Sequence, residues 1–410
     1  MNNPLKAVIV LLLATSAGAH ASTQAIRSAD TACLTYDCAQ MAEIRTGIQH
    51  EDSAYAPAYQ AMLEKANKAL RHAPYSVTDK KLLPASGSKH DYYSFGPYWW
   101  PNPETRNTLP YIRKDGQINP SSKTDDTDST RMVQFTNDVR TLSLAAFYTQ
   151  DVRYAQKARE LLEAWFINKA TRMNPNLNYA QAIPGIVDGR GIGIIDTRVL
   201  IDVADSVALL HNMGKLPSQE FAQYQHWYAQ YTTWLLTSQN GQEEGNWYNN
   251  HGAWYDAQVT AFSLFTGNLP QATRQIEIFK NRHLAAQVNT KGELTAELER
   301  TRSFHYSNFT LAAYARMGRY GEIAGDDLWT FELDGRRMES AFAFVSQQIG
   351  KTAAEWHYPE LKYEPNEAMG PVLAASRAYK SEDFRRSVDA LIKENPADIN
   401  RLMPGTALVN

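Results

Sequence analysis

The stretch Asp151–Phe166 reads DVRYAQKARELLEAWF, and its apolar side chains recur every three or four positions. That spacing places them on one face of a helix, and the leading aspartate is a suitable N-cap. The same periodicity returns as an apolar stripe over Val199–Leu210 and as a largely aromatic stripe over Phe221–Leu235. The chain is therefore predicted to consist of packed helices from about Phe135 onward.

Further helical segments flank these stripes, and short turns such as GKLP (214–217) and GNLP (267–270) separate successive helices. These predicted helices are Tyr55–Leu70, Ala253–Phe265, Phe309–Met317, Arg337–Gln348, Pro371–Tyr379 and Asp383–Lys393. Successive helical hairpins of this size stack into a solenoid or close into a toroid. We expect an all-α fold, an (α/α) toroid of six or seven helical hairpins, complete or incomplete. No Pro/Ser-rich linker divides the helical part, which favours a single domain over two.

The first 21 residues, MNNPLKAVIVLLLATSAGAHA, have the pattern of a secretory signal peptide. Lys6 precedes a short apolar run, and Ala-His-Ala at positions 19–21 forms a cleavage site. We expect residues 22–410 to be released into the periplasm or secreted, and a buried N-terminal helix is the alternative. The run is shorter than the ~20 apolar residues that span a bilayer, so no membrane attachment is expected after cleavage.

The amino-acid composition indicates which kinds of ligand the protein can bind. The net charge of −3 argues against general nucleic-acid binding, although a locally basic cleft can still accept an anionic substrate. Nine Trp and 22 Tyr provide flat apolar faces, which suit both a protein core and the stacking of sugar rings. Cys33 and Cys38 can form a disulfide in an oxidising compartment or stay free, and they do not make a zinc site. We expect a monomer.

Two long segments, 84–131 and 175–196, break the helical pattern. Such irregular segments often carry binding residues. In the first, Tyr93, Trp99 and Trp100 are candidates for stacking on sugars; in the second, Gln181 and Arg190 are candidates for binding hydroxyls or a carboxylate.

Charged residues of both signs are concentrated in these segments and in the later motifs. The acidic run Asp125, Asp126 and Asp128 lacks the glycine and glutamate of a calcium loop, so we interpret it as a solvated acidic loop. A basic cluster predicts a cleft that attracts polyanions. Its members are Lys89, Arg106, Arg113, Lys114, Arg190, Arg300 and Arg302.

The segment GNWYNNHGAWYD (245–256) places Asn250 and His251 at the start of a predicted helix. The partial positive charge of a helix N-terminus favours a neutral imidazole at His251, and the Asn250 amide can hydrogen-bond a carboxyl group. The alternative is structural, with Asn249 or Asn250 as a simple N-cap and His251 as a buried histidine.

The segment ERTRSFHY (299–306) brings Arg300 close to Tyr306. A nearby guanidinium stabilises a phenolate, which would make the tyrosine usable as a base. The alternative is an arginine on a solvated face and a tyrosine in the core. Together, the two segments supply what β-elimination on a uronate needs, namely groups that neutralise the carboxylate, a base for the C5 proton and an acid for O4.

These motifs resemble those of the alginate lyase superfamily of α/α-toroid polysaccharide lyases, from roughly Tyr92 to Tyr363. The motifs are DYYSFGPYWWPNP (91–103), LPYIRKDGQINP (109–120), NYAQAIPGIVDGRGIGIID (178–196), NNHGAW (249–254) and ERTRSFHY (299–306). The best-known alginate lyases continue NNH with Ser-Tyr-Trp, whereas this chain continues with Gly-Ala-Trp. That difference leaves the substrate open within a branch that contains alginate and glucuronan lyases.

The resemblance implies a lyase that leaves a 4,5-unsaturated uronate at the non-reducing end of its product, with poly-mannuronate as the favoured substrate and no cofactor or metal. It assigns catalysis to Asn250, His251, Arg300 and Tyr306. The expected substrate-binding residues are Tyr93, Trp99, Trp100, Gln181, Arg190, Asn249, Trp254 and Arg302.

Three alternatives remain at this point. One is a glucuronan lyase with the same mechanism. Another is a glycoside hydrolase, which needs two carboxylates across the scissile bond and has Asp256, Glu297 and Glu299 available. The last is a non-catalytic glycan-binding protein.

Overall fold

The computed structural model describes residues 33–50 and 54–408, so the predicted signal peptide lies outside the described residues. Within these ranges the chain is mainly helical. None of the helices described is long and apolar enough to cross a membrane.

The helices fall into long elements and a few short turns, which we number in chain order. They are α1 (Cys38–Gln49), α2 (Ala56–Ala69), α3 (Ser129–Thr149), α4 (Val152–Leu162), α5 (Leu200–Asn212), α6 (Ser218–Thr237), α7 (Gln239–Gly245), α8 (Asn250–Phe265), α9 (Leu269–Ile278), α10 (Ala285–Gln287), α11 (Thr295–Leu298), α12 (Ser303–Ala324), α13 (Met338–Ser346), α14 (Met369–Tyr379) and α15 (Glu382–Glu394). The short strands are β1 (Tyr93–Phe95), β2 (Trp99–Trp100), β3 (Ile112–Arg113), β4 (Tyr179–Ala182), β5 (Glu332–Leu333) and β6 (Arg336–Arg337).

The all-α prediction is confirmed, and most predicted helices begin and end within a few residues of the observed ones. Asp151 caps α4 as expected, because its side chain accepts a hydrogen bond from the backbone N–H of Arg153. The largest difference is α12, which begins at Ser303 instead of Phe309. The sequence prediction missed its first turn, where Glu360, far along the chain, accepts hydrogen bonds from two backbone amides.

Burial separates an inner layer of helices from an outer one. In α8, 14 of the 16 residues are buried, and most of them are small or weakly polar. In α15 the buried residues are Phe384, Val388 and Leu391, which lie on one face of an otherwise polar helix. The inner helices pack in succession, α3 on α5, α5 on α8 and α8 on α12, as the central layer of a toroid does.

An ionic cluster ties the inner helices together at their centre. Asp202 of α5 accepts hydrogen bonds from Arg140 of α3 at 2.8 Å and from Arg316 of α12 at 2.6 Å. All three side chains are almost completely buried. Because removing one partner would leave a buried charge unpaired, this cluster fixes how the three helices meet.

The two irregular segments of the sequence lie side by side. Strand β1, from the first segment, pairs in parallel with β4 from the second, and β2 pairs antiparallel with β3. Sequence analysis did not predict this pairing, because the strands are only two to four residues long and carry no alternating pattern. The segments together form a cover over one end of the helical layer.

The acidic run in the first segment needs a partial correction. Asp126 is exposed and paired with Lys81, as a solvated loop implies. Asp128, however, is completely buried and forms ion pairs with Lys80 at 2.9 Å and Arg131 at 3.1 Å. Its carboxylate also accepts a hydrogen bond from the backbone of Tyr93, so it anchors β1 to the helical layer.

The two cysteines form a disulfide at the beginning of the described part of the chain. The short loop between them is buried, and the backbone N–H of Thr35 donates to Asp205 of α5 at 3.0 Å. The disulfide loop therefore packs against the end of the inner helices.

Candidate active site

A cleft of about 440 Å³ opens where the starts of α8 and α12 meet the cover formed by the irregular segments. Its lining combines aromatic side chains, amides and imidazoles with six cationic residues. The cations are Arg113, Lys123, Arg190, Arg198, Arg300 and Arg302. A larger groove of about 640 Å³ lies between α13 and α15, but it contains none of the predicted site residues.

Helix α8 begins at the predicted amide–histidine motif. Asn249 is its N-cap, and its side chain accepts a hydrogen bond from the backbone N–H of His251 at 3.2 Å. The backbone N–H of Asn250 donates to Glu297 at 2.6 Å, and its side-chain Nδ2 lies 3.0 Å from both carboxylate oxygens. Glu297 is buried, so it holds the Asn250 amide in one orientation.

His251 is oriented by a second buried carboxylate. Its Nδ1 lies 2.7 Å from Oε1 of Glu244, which follows α6 on the short helix α7. Burial raises the pKa of Glu244 above its ordinary value, although the charge and hydrogen bond of His251 oppose that rise. This contact orients the ring, and in the tautomer that carries its proton on Nδ1 the other nitrogen, Nε2, is the proton acceptor. The expectation that the helix start keeps the imidazole neutral stays a prediction, and Glu244 is a partner that the sequence did not indicate.

Tyr306 and Arg300 are in direct contact at the start of α12. The guanidinium carbon of Arg300 lies 3.7 Å from the centre of the Tyr306 ring. Arg300 also donates to both carboxylate oxygens of Asp115, through Nε at 3.1 Å and Nη2 at 3.0 Å. The hydroxyl groups of Tyr306 and Tyr98 share a short hydrogen bond.

Arg300 lowers the pKa of Tyr306 as expected, but other groups have a larger effect. The pKa of Tyr306 lies above its ordinary value because burial and the neighbouring Tyr98 hydroxyl outweigh the stabilisation of the phenolate by Arg300. Tyr306 is therefore a phenol at neutral pH in this structure. It can donate this proton directly, and it can accept one only after its own proton has left.

The remaining cations of the cleft differ in how they are neutralised. Arg302 lies within 4 Å of Glu360, Glu364 and Glu367. In contrast, no carboxylate of the described residues lies within ion-pair distance of Lys123, Arg190 or Arg198. These three positive charges are available to a negatively charged ligand.

Arg190 belongs to a polar chain across the cover. Its Nη2 donates to Oε1 of Gln181 at 3.0 Å, and the Gln181 amide donates to Asp196 at 2.9 Å. Burial lowers the pKa of Arg190 to about 10. Its guanidinium also lies 5.9 Å from the Trp99 ring centre, so the predicted residues Trp99, Gln181 and Arg190 form one wall.

The structure brings nine of the twelve predicted site residues to the cleft. They are Trp99, Gln181, Arg190, Asn249, Asn250, His251, Arg300, Arg302 and Tyr306. The predicted catalytic set is complete within this group, and its roles stay predictions.

Tyr93, Trp100 and Trp254 do not line the cleft. Adjacent strand residues point to opposite sides, so only one of Trp99 and Trp100 can face it, and the Trp100 indole donates instead to the backbone of Gln117. Tyr93 packs edge-on against Phe95 within β1. Trp254 is buried one turn into α8, where its indole donates to the carbonyl of Phe309. Its position fits a packing role.

Several cleft or supporting residues were not singled out from the sequence. Tyr98 lies within the aromatic motif, so its composition was a signal, but its contact with Tyr306 was not foreseeable. Glu244 is seven residues before His251, a spacing without a recognisable motif. Asp115 is 185 residues from Arg300, and no local pattern links the two.

The carboxylates of the cleft bear on the hydrolase alternative. Among the described residues that line it, Asp196 is the one carboxylate. Asp196 already accepts hydrogen bonds from Tyr92, Ser94 and Gln181. A pair of free carboxylates across a scissile bond is therefore not found in the described lining.

Comparisons with known proteins agree with this arrangement. The family model for alginate lyase matches residues 76–356. The crystal structure of an alginate lyase from Bacteroides ovatus is similar, with a TM-score of 0.86 and 34% identity over 90% of this chain and 98% of that chain. No curated protein matches the chain.

More distant structures share the fold. Alginate lyase A1-III from Sphingomonas species A1 has a TM-score of 0.56 and 14% identity, over 90% of this chain and 93% of that chain. A variant of alginate lyase A1-III complexed with a tetrasaccharide gives a TM-score of 0.56 and 13% identity, over 88% of this chain and 90% of that chain.

Proposed function

The chain belongs to the alginate lyase family and is a polysaccharide lyase, and on that basis we propose that it cleaves a uronate polymer by β-elimination in the cleft described above. The observation that carries the proposal is the grouping of Tyr306, Arg300 and the Asn250–His251 pair within one cation-lined cleft. This grouping offers proton-transfer groups beside positive charge, which elimination from a uronate requires.

We assign the acid role to Tyr306. In β-elimination a base removes the C5 proton, the electrons form the C4–C5 double bond, the bond from C4 to O4 breaks, and O4 takes a proton. Because burial keeps Tyr306 protonated, it is suited to donate that proton to O4. The hydrogen bond to Tyr98 can pass negative charge to a second hydroxyl once the proton has left.

The base depends on the substrate. In mannuronate and in glucuronate, which differ only at C2, the C5 proton and O4 lie on the same side of the ring, so one tyrosine that has first lost its own proton to solvent can take the C5 proton and then protonate O4. In guluronate, the C5 epimer of mannuronate, they lie on opposite sides, and a second base is needed. His251, with Nδ1 held by Glu244, presents Nε2 for that purpose.

We assign neutralisation of the substrate carboxylate to the proposed catalytic residues acting together. Asn250 supplies an amide and Arg300 a guanidinium, but both already contact carboxylates, Glu297 and Asp115. The cations without a carboxylate partner in the described residues, such as Arg190, add positive charge. Electrostatic stabilisation of the enolate-like intermediate is the largest expected contribution to the rate.

Poly-mannuronate is our favoured substrate, and glucuronan is the alternative. The similarity to an alginate lyase at 34% identity supports the first. The Gly252-Ala253 sequence after His251 is the reason to keep the second, because the best-known alginate lyases carry Ser-Tyr there. We also propose that the protein acts in the periplasm or after secretion, through cleavage of residues 1–21.

The decisive experiment is an activity screen on poly-mannuronate, poly-guluronate and glucuronan with two readouts. Elimination gives products that absorb in the ultraviolet through the new C4–C5 double bond, together with new reducing ends. We expect both signals, strongest on poly-mannuronate. Reducing ends without absorbance would establish a hydrolase, and binding without either signal would establish a glycan-binding protein.

A further inference from the structure

A second, smaller cavity of about 130 Å³ lies behind the cleft, between the inner helices α3, α5, α8 and α12. Its charged lining consists of Arg140, Arg198, Arg316 and Asp202. Arg198 also lines the cleft, so the two spaces share one guanidinium as a wall. The other lining residues are apolar, apart from Asn137.

Several N–H donors of the arginines that line this cavity have no hydrogen-bond acceptor among the described residues. Asp202 uses one oxygen for Arg140 and the other for Arg316. The buried Nε of Arg140, and both Nε and Nη1 of Arg316, have no hydrogen-bond partner among the described residues. Asp205 is the next carboxylate, but its oxygen lies 3.9 Å from Arg316 Nη1, beyond hydrogen-bond distance. Buried donors of this kind are costly unless something accepts from them.

Positive charge also exceeds negative charge among the groups around this cavity. Three guanidinium groups, which stay protonated in proteins, line this cavity with the carboxylate of Asp202, and Asp205 lies 3.9 Å from Arg316, so the cations outnumber the carboxylates by three to two. Arg198 has no carboxylate of the described residues within ion-pair distance, and its Nη1 donates only weakly to the Ile195 carbonyl, at 3.3 Å. A water molecule would satisfy the free N–H groups but would not balance the charge.

We propose that this cavity is a binding site for a small monovalent inorganic anion of the halide class, held by the guanidinium groups of Arg140, Arg198 and Arg316. The small volume suits an inorganic ion rather than a sugar ring, and Val133, Val199 and Leu408 line its apolar part. The anion supplies the missing acceptor and the missing negative charge together. Because Arg198 is shared, the bound anion also fixes the position of a cation in the cleft.

The first test measures thermal unfolding of the full protein as sodium chloride replaces sodium gluconate at constant ionic strength. Constant ionic strength keeps charge screening unchanged while chloride replaces the much larger gluconate anion. A ligand that binds only the folded state raises Tm by mass action, and we expect a saturable rise of about 2 °C. A Tm that does not respond to chloride overturns the proposal.

The second test uses two matched variants and a heavier halide. Arg198→Gln removes one guanidinium from the cavity, whereas Lys123→Gln removes a cation that lines the cleft alone. We expect Arg198→Gln to raise about tenfold the chloride concentration that gives half of the Tm increase. Lys123→Gln should leave that concentration unchanged. Equal effects of the two variants would assign the chloride response to the cleft and refute the cavity.

Crystals grown with bromide locate the ion directly by anomalous scattering. We expect one peak in contact with Arg198 and Arg316. Anomalous density elsewhere, with water alone in the cavity, contradicts the proposal. None of these measurements depends on catalysis, so they stand or fall separately from the proposed lyase function.

Discussion

The two halves of the cleft are built in different ways. On the α8 side, Asn250 and His251 are held by Glu297 and Glu244, whose carboxylates are buried within the helical layer. On the α12 side, Tyr306 and Arg300 are held by Tyr98 and Asp115, which come from the irregular segment 84–131. The Asp115 side chain is 25% exposed, whereas that of Glu244 is fully buried.

The helical layer therefore positions the α8 half of the cleft, whereas the irregular segments position the α12 half. The α8 half is preorganised by the same packing that builds the inner helices, so its geometry is set when the protein folds. The α12 half is complete only when the cover is in place, and its hydrogen bonds are nearer to solvent. Substitutions on the two sides should therefore differ in size and in kind.

The largest effect is expected from substitution of Tyr306, the proposed acid. Tyr306→Phe removes the proposed acid in every substrate geometry, so kcat/KM should fall by about 10²–10⁴-fold on all three polymers. Tyr320→Phe, at the far end of α12, is the matched control and should retain the rate, since its hydroxyl contacts Thr35 and not the cleft. Near wild-type activity of Tyr306→Phe on any polymer would remove Tyr306 as the acid, and His305 would be examined next.

His251→Ala tests whether the α8 half supplies a second base. The opposite-side substrate, poly-guluronate, needs that base and should lose about 10²-fold or more in kcat/KM. Poly-mannuronate and glucuronan should lose less, because Tyr306 can serve both steps there. The comparison of the three polymers is the measurement, and an equal loss on all of them would leave His251 with a binding role alone.

Replacing a carboxylate by an amide on each side compares the halves directly. Glu297→Gln disturbs buried hydrogen bonds to both the backbone and the side chain of Asn250, and should lower kcat/KM by about tenfold or more together with Tm. Asp115→Asn weakens a partly exposed ion pair with Arg300 and should cost only a few-fold, with Tm almost unchanged. The reverse order would mean that the cover, and not the helical layer, fixes the site.

The smallest effect is expected from screening of the positive charge that lines the whole cleft. Six cations line the cleft within the described residues, so attraction of a polyanion should weaken as salt screens charges over about 10 Å at 0.1 M. We expect kcat/KM at low substrate to fall roughly threefold between low and moderate ionic strength set with sodium gluconate. A rate constant independent of ionic strength would argue against electrostatic steering.

Part of the basic cluster predicted from the sequence reaches the cleft, and part does not. Arg113, Arg190, Arg300 and Arg302 line it, whereas Lys89, Arg106 and Lys114 do not. Lys114 instead lies over the outer face of Trp100, 5.0 Å from the ring centre. Position in an irregular segment indicates that a residue is near the site, but the path of the backbone decides which way it points.

The sequence by itself determined the elements and the chemical groups. Apolar periodicity fixed the helices, because a residue and its neighbours three and four positions away share a face whatever the fold. The two motifs taken together, with their resemblance to the alginate lyase superfamily, selected Asn250, His251, Arg300 and Tyr306, and all four line one cleft.

Only the tertiary structure decided the partners and the protonation of these groups. Glu244, Glu297, Tyr98 and Asp115 reach the site from other elements, and burial reverses the pKa shift that the Arg300–Tyr306 proximity alone predicts. Hydrogen bonding and desolvation depend on every neighbour in space. A contact such as Arg300–Asp115 joins residues 185 positions apart, and no local pattern in the chain encodes it.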